Sequence, residues 1–136
     1  MDNSYGITSR EPQVLIVDDL PSTRLLLTDM FQEMGFTDIE VAADGKEALD
    51  KLLETGAKLV ICDHSMRGMN GIDLLIALKD YPKLADIPVI MLSSNRDTPI
   101  IETALDLGAA DYMVKPISFK LLKMKIADVM QRSRRE

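Results

Sequence analysis

A single cysteine and a single histidine in 136 residues leave no ligand set for structural zinc, and Cys62 has no second thiol to close an internal disulfide. No apolar run approaches the ~20 residues that span a bilayer. The opening MDNSYGITSREPQ lacks the charged and apolar regions of a signal peptide, so the expected setting is cytoplasmic, with no membrane partner. Positive charge is also scarce, with a net charge of −6. That balance argues against nucleic-acid binding by bulk electrostatics. Internal repeats and low-complexity tracts are missing as well.

What remains is enough for one domain. The chain is 46% hydrophobic, and single domains commonly run ~100–150 residues. Short β-branched runs alternate with segments of helical period, the pattern of a parallel α/β sheet. VLIV (14–17), IEVAA (39–43), LVIC (59–62), VIML (89–92) and YMV (112–114) read as strands. A helix from about Pro21 to Met34 turns Leu27, Met30, Phe31 and Met34 to one face and stops at Gly35. Asp44, with Glu47 three residues on, opens the second helix as a capping box, and Gly56 closes it. GIDLLIALKD supplies the third helix. Thr98-Pro99 opens the fourth, which Gly108 ends. The fifth starts near Ser118 and buries Leu122, Ile126, Val129 and Met130.

Continuous apolar strands suit a sheet covered on both faces. Right-handed crossovers leave few arrangements for five βα units, and the commonest is the flavodoxin-like order 2-1-3-4-5. The expected fold is therefore a (βα)5 sandwich, with helices on both faces of a five-stranded parallel sheet. Residues 13–132 form the domain, 1–12 a polar leader, and 133–136 a basic tail or linker stub.

Parallel strands place all their carboxyl ends along one edge, where ligands bind. Asp18-Asp19 follow strand one, Asp63 strand three, Ser93-Ser94 strand four, and Lys115-Pro116 strand five. Aspartate and serine are ordinary turn residues, so each alone reads as punctuation. Three acids together are different. At ~4 Å and an effective dielectric of ~20, each like-charge pair costs about 4 kcal/mol, and Lys115 alone leaves an excess of negative charge. A hard divalent cation answers this. Mg²⁺ takes carboxylate oxygen and shares its sphere with phosphate. Asp19 and Asp63 are the direct ligands, Asp18 is close by or acts through water, and the Ser65 backbone carbonyl completes the set. Metal, carboxylate, hydroxyl and ammonium together are equipment for phosphoryl transfer.

These pieces resemble the receiver domain of two-component response regulators, of the chemotaxis-regulator kind. The likeness runs from about Val14 to Met130, through VLIVDDLPSTR, ADGKEAL, LVICDHSMRGMNG, VIMLSS and GAADYMVKP in order. The resemblance implies that Asp63 is the phosphoacceptor, charged by a histidine kinase or a histidine phosphotransfer protein. It makes Asp18 and Asp19 the Mg²⁺-holding pair, Ser93 the switch hydroxyl, Lys115 the partner of the phosphoryl oxygens and Tyr112 the switch aromatic. Ser65 and Asn95, each two residues beyond a site residue, tune hydrolysis of the acyl phosphate. The Lys115-Pro116 peptide is expected to be cis. Output runs through the helix 4, strand 5 and helix 5 surface to a downstream protein or a missing output domain, from a monomer or a phosphorylation-dependent dimer. The chemistry is self-phosphorylation and self-dephosphorylation, not enzymatic turnover.

Arg67 stands where receivers usually carry a loop-stiffening proline, and Asn70 where an aspartate is frequent. His64 reads as a loop side chain and Cys62 as a small core residue. Met66 and Met69 lie in the active loop, at reach of a partner. Lys120, Lys123, Lys125, Arg132, Arg134 and Arg135 gather at the C-terminus, where cations suit a helix dipole. Other readings compete. An aspartate-nucleophile phosphohydrolase needs a second acid at position 65, and serine is there. A nucleotide-binding domain needs a phosphate loop after strand one, and DDLPSTR offers acids. A receiver-like module that binds a partner without phosphorylation keeps the fold but not the chemistry.

Overall fold

Four consecutive residues with no exposed position cannot form the half-wet strand of an open sheet, and β1 (Val14–Val17) is buried throughout. In the computed structural model of the protein, which describes residues 11–94 and 98–134, β1 lies inside a five-stranded parallel sheet of order β2-β1-β3-β4-β5. Its companions are β2 (Ile39–Ala42), β3 (Val60–Asp63), β4 (Val89–Ser94) and β5 (Asp111–Lys115). The crossovers are α1 (Pro21–Glu33), α2 (Gly45–Thr55), α3 (Gly71–Lys79) and α4 (Thr98–Asp106), and α5 (Phe119–Arg134) follows the last strand.

Alternation along each strand divides the core in two. Val14, Ile16, Leu59, Ile61, Ile90 and Leu92 face Leu27 and Phe31 of α1 and Leu122, Ile126 and Val129 of α5. Leu15, Val17, Val60, Cys62 and Met91 face Leu52 of α2, Leu74, Leu75 and Leu78 of α3, and Ala104 of α4. Phe31 meets Phe36 edge-on at 4.9 Å between centroids, a favoured aromatic geometry. Met30, Met34 and Met130 only partly enter the core.

The element types and their order match the sequence reading, while several ends move by a residue or more. β3 starts at Val60 and takes in Asp63, because Asp63 pairs with Leu92 and the next N–H, of His64, donates to Leu92 O at 2.8 Å. β4 extends through Ser93 and Ser94, which pair with Val114 and Lys115. β2 stops at Ala42 rather than Ala43, α1 at Glu33 with Met34 as its cap, and α3 at Lys79 with Asp80 as its cap. The Asp44 cap is present and accepts the Glu47 N–H at 2.8 Å. Glu47, however, returns to the Ala43 N–H at 2.8 Å, one residue beyond a true capping box. α5 continues two residues past position 132. No described helix is long and apolar enough to cross a membrane.

Candidate functional site

Burial singles out the carboxyl edge of the sheet. Among the described residues, the buried polar or charged side chains are Asp18, Asp63 and Ser93, at 0%, 3% and 4% exposure. All three stand at strand ends. β1 continues its pairing one residue beyond Val17, since the Asp18 N–H donates to Ala42 O at 3.1 Å. This fixes Asp18 and Asp19 over the crossover into α1. The register sets Asp63 opposite Leu92, so Ser93 follows on the neighbouring strand.

Carboxylate oxygens of Asp18, Asp19 and Asp63 lie within 4.8 Å of one another. Lys115 Nζ reaches in from β5, 3.2 Å from Asp18 Oδ2 and 3.5 Å from Asp63 Oδ1. The second contact is an ion pair without hydrogen-bond geometry. Asp63 Oδ1 is thus a buried oxygen with no hydrogen-bond partner among the described residues. Leaving such an atom unsatisfied costs ~1–3 kcal/mol or more. Burial pushes the Asp63 carboxyl above the usual carboxylate range; the close Lys115 ammonium pulls it down, Asp18 adds to the rise, and the Ser65 N–H opposes it.

This geometry tests the cation expectation directly. With all three acids ionised, one ammonium leaves two negative charges uncompensated, and an oxygen is presented without a donor. A hard cation with a taste for carboxylate oxygen fits that donor set. Asp18 is the least available acid, because Leu20 N–H holds Oδ1 at 2.9 Å and Lys115 holds Oδ2. The Ser65 carbonyl accepts no hydrogen bond among the described residues.

Among the described residues, Ser93 Oγ makes only a 3.5 Å contact, to the Ser94 carbonyl, which leaves the hydroxyl loosely held there. Tyr112 is half-buried against the α2–α4 side of the core, with Lys125 Nζ 5.3 Å from its ring centroid. Lys115-Pro116 is cis. Asn95 lies outside the described residues, as does Arg135. Two of the C-terminal cations have structural work: Lys125 pairs with Asp111 at 3.0 Å, and Arg132 with Asp128 at 3.1 Å.

The loop after Asp63 is anchored without the usual proline. Arg67 is exposed and has no partner among the described residues, and Gly68 takes a positive φ of 68°. Met66 is buried, and Met69 packs on the core. The N–H groups of Met66 and Gly71 both donate to His64 O at 3.1 Å. A Cβ on Gly71 would sit 2.6 Å from Met91 Sδ and 3.0 Å from Asp63 O; one on Gly45 would sit 2.6 Å from Met69 O. Asn70 caps α3 in a full reciprocal box with Asp73, at 2.8 and 3.1 Å. The N-x-x-D spacing could have revealed that box. No sequence signal marked the 2.7 Å hydrogen bond from Arg24 Nη1 to the Asp18 carbonyl. Burial pushes the Cys62 thiol far up, beyond nucleophilic use.

Residues 14–127 match the family described as the response regulator receiver domain. The chemotaxis protein CheY of Pseudomonas aeruginosa is 34% identical over 88% of this chain and 97% of its own length. Among solved structures, the signal receiver domain of a signal transduction histidine kinase from Syntrophus aciditrophicus superposes with a TM-score of 0.81 at 32% identity, covering 90% of this chain and 92% of that one. Vibrio cholerae CheY4 gives a TM-score of 0.80 at 28% identity, covering 88% and 98%. Buried acids at the sheet edge, strand order and sequence likeness agree: the chain belongs to the response regulator receiver domain family.

Proposed function

We propose that this receiver accepts a phosphoryl group on Asp63 from a phosphohistidine of a histidine kinase or a histidine phosphotransfer protein. The observation that carries the reading is the buried, hydrogen-bond-free Asp63 Oδ1 within an acid cluster that Lys115 only partly neutralises. Asp19, Asp63 and the Ser65 carbonyl would hold Mg²⁺, with Asp18 close by or acting through water. When bound, the ion supplies positive charge for the phosphoryl oxygens.

Asp63 attacks phosphorus in line as the P–N bond to the donor imidazole breaks, and the electron pair returns to the ring nitrogen. Lys115 moves its ammonium from the carboxylates to a phosphoryl oxygen, and the loosely held Ser93 hydroxyl donates to another. Tyr112 responds to the displacement of Ser93, and the surface of α4, β5 and α5 changes packing. The shift is driven by contacts that only the phosphorylated state makes. Water then attacks phosphorus, restoring the carboxylate and releasing inorganic phosphate; Ser65 and Asn95 set that rate. The protein works as a cytoplasmic switch rather than an enzyme, as a monomer or phosphorylation-dependent dimer, toward a downstream protein or an output domain. Its functional unit is the domain of residues 13–132, whose last helix carries on to Arg134.

Incubation with Mg²⁺ and acetyl phosphate tests this by intact mass. The parent gains one phosphoryl group and Asp63→Asn gains none. An unmodified parent, or an equally modified variant, overturns the proposal.

A further inference from the structure

Every polar group of Asp18 is engaged. Its N–H donates to Ala42 O at 3.1 Å, Oδ1 accepts from the Leu20 N–H at 2.9 Å, and Oδ2 accepts from Lys115 at 3.2 Å. Its carbonyl oxygen accepts from Arg24 Nη1 at 2.7 Å, the shortest of the four. The first three partners come with the sheet, the turn and the lysine of β5. The fourth comes from a side chain one turn into α1, and nothing in the backbone topology demands it.

That carbonyl belongs to the peptide whose N–H is Asp19's. A peptide is planar, so the atom that holds Asp18 O also sets the orientation of the Asp19 amide. It therefore bears on the direction in which the Asp19 side chain leaves the backbone. Little else does so. The Asp19 carboxylate has no hydrogen bond or ion pair among the described residues, and Leu20 caps α1 without a side-chain hydrogen bond. Arg24 forms no ion pair with a carboxylate among the described residues, so simple neutralisation is not its contact.

We propose that Arg24 is a positioning residue: through its hydrogen bond to the Asp18 carbonyl it aims Asp19 into the cation site. The inference rests on the Mg²⁺ reading above and deepens it. Charge and position act in opposite senses here. A guanidinium near the site repels Mg²⁺, so its removal by charge alone would tighten binding. Loss of the hydrogen bond frees the Asp18–Asp19 peptide and weakens it. Outer partners that orient metal ligands commonly carry 10–100-fold in affinity.

Titration calorimetry with MgCl₂ on parent and Arg24→Ala separates the two effects, alongside thermal unfolding in chelator. The expected result is an Mg²⁺ Kd raised about tenfold in Arg24→Ala. Phosphorylation by acetyl phosphate should return to the parent rate once Mg²⁺ is saturating. An unchanged or tighter Kd overturns the proposal, as does a rate deficit that persists at saturating Mg²⁺. If the alanine variant does not fold, Arg24→Met keeps the packing stem without the donor and is read by the same criteria. A parent that binds no Mg²⁺ sinks the reading of the site itself. A parent that binds, beside a variant that binds equally well, sinks only the role of Arg24.

Discussion

The two edges of the sheet differ in what they leave unsatisfied among the described residues. At the amino edge, side chains finish the backbone. Gln13 Oε1 accepts the N–H groups of Thr37 and Asp38 at 2.8 and 3.0 Å. Lys79, Lys83 and Arg132 donate to the carbonyls of Ala85, Leu53 and Ala110. At the carboxyl edge, Asp63 keeps an oxygen buried and unfinished beside two more acids. One edge is built for stability. The other leaves a buried carboxylate oxygen unsatisfied, the usual tension between a stable fold and a working site.

The largest effect should come from removing the one cation within ion-pair distance of the acid cluster among the described residues. Lys115→Ala is expected to slow phosphoryl uptake about 10²-fold, the scale of losing one preorganised electrostatic donor. Single-turnover mass measurements at saturating Mg²⁺ would show it. Gly71→Ala comes next, because its methyl would press on Met91 Sδ, His64 Cα and Asp63 O. Overpacking of this kind costs about 1–3 kcal/mol in urea unfolding, and uptake at Asp63 should fall with it.

Gln13→Ala should cost about 1 kcal/mol in the same unfolding assay. Uptake should remain at the parent rate, since the edge it serves does no chemistry. A Gln13 variant that loses uptake would break the contrast between the edges.

Smallest is the effect of neutralising Asp63 in metal-free protein. Burial raises the folded Asp63 pKa above its ordinary value of 3.8. Between those two values the folded form holds a proton that the unfolded chain has released, so stability falls as pH rises through the window. Asp63→Asn removes that fall. In chelator at neutral pH the variant should melt above the parent, and the difference should close below the unfolded pKa. Mg²⁺ should raise the melting point of the parent more than that of the variant.

The sequence carried the sheet, its order and the three acids, because buried parallel strands are apolar runs and their ends must share an edge. The detail that escaped it depends on partners rather than on pattern. Asp63 joins β3 only because Leu92 offers a carbonyl to the next residue. Glu47 caps Ala43 instead of Asp44 because its side chain finds the earlier N–H. Arg24 reaches back from the first turn of α1 to the Asp18 carbonyl six residues earlier, a contact across the strand-to-helix turn that no periodicity encodes. The packing of the Arg67 loop was equally hidden: Met66 and Met69 pack on the core and the close-packed Gly45 and Gly71 leave no room around it.

Cys62 gives the molecule a clock. Its sulfur is sealed in the core beside Asp63, and its thiol is held protonated by burial. An alkylating reagent can reach it only when the middle of the sheet parts. Labelling speed therefore counts openings one residue from Asp63, and the count needs no engineered probe, because the chain has no second thiol to blur it.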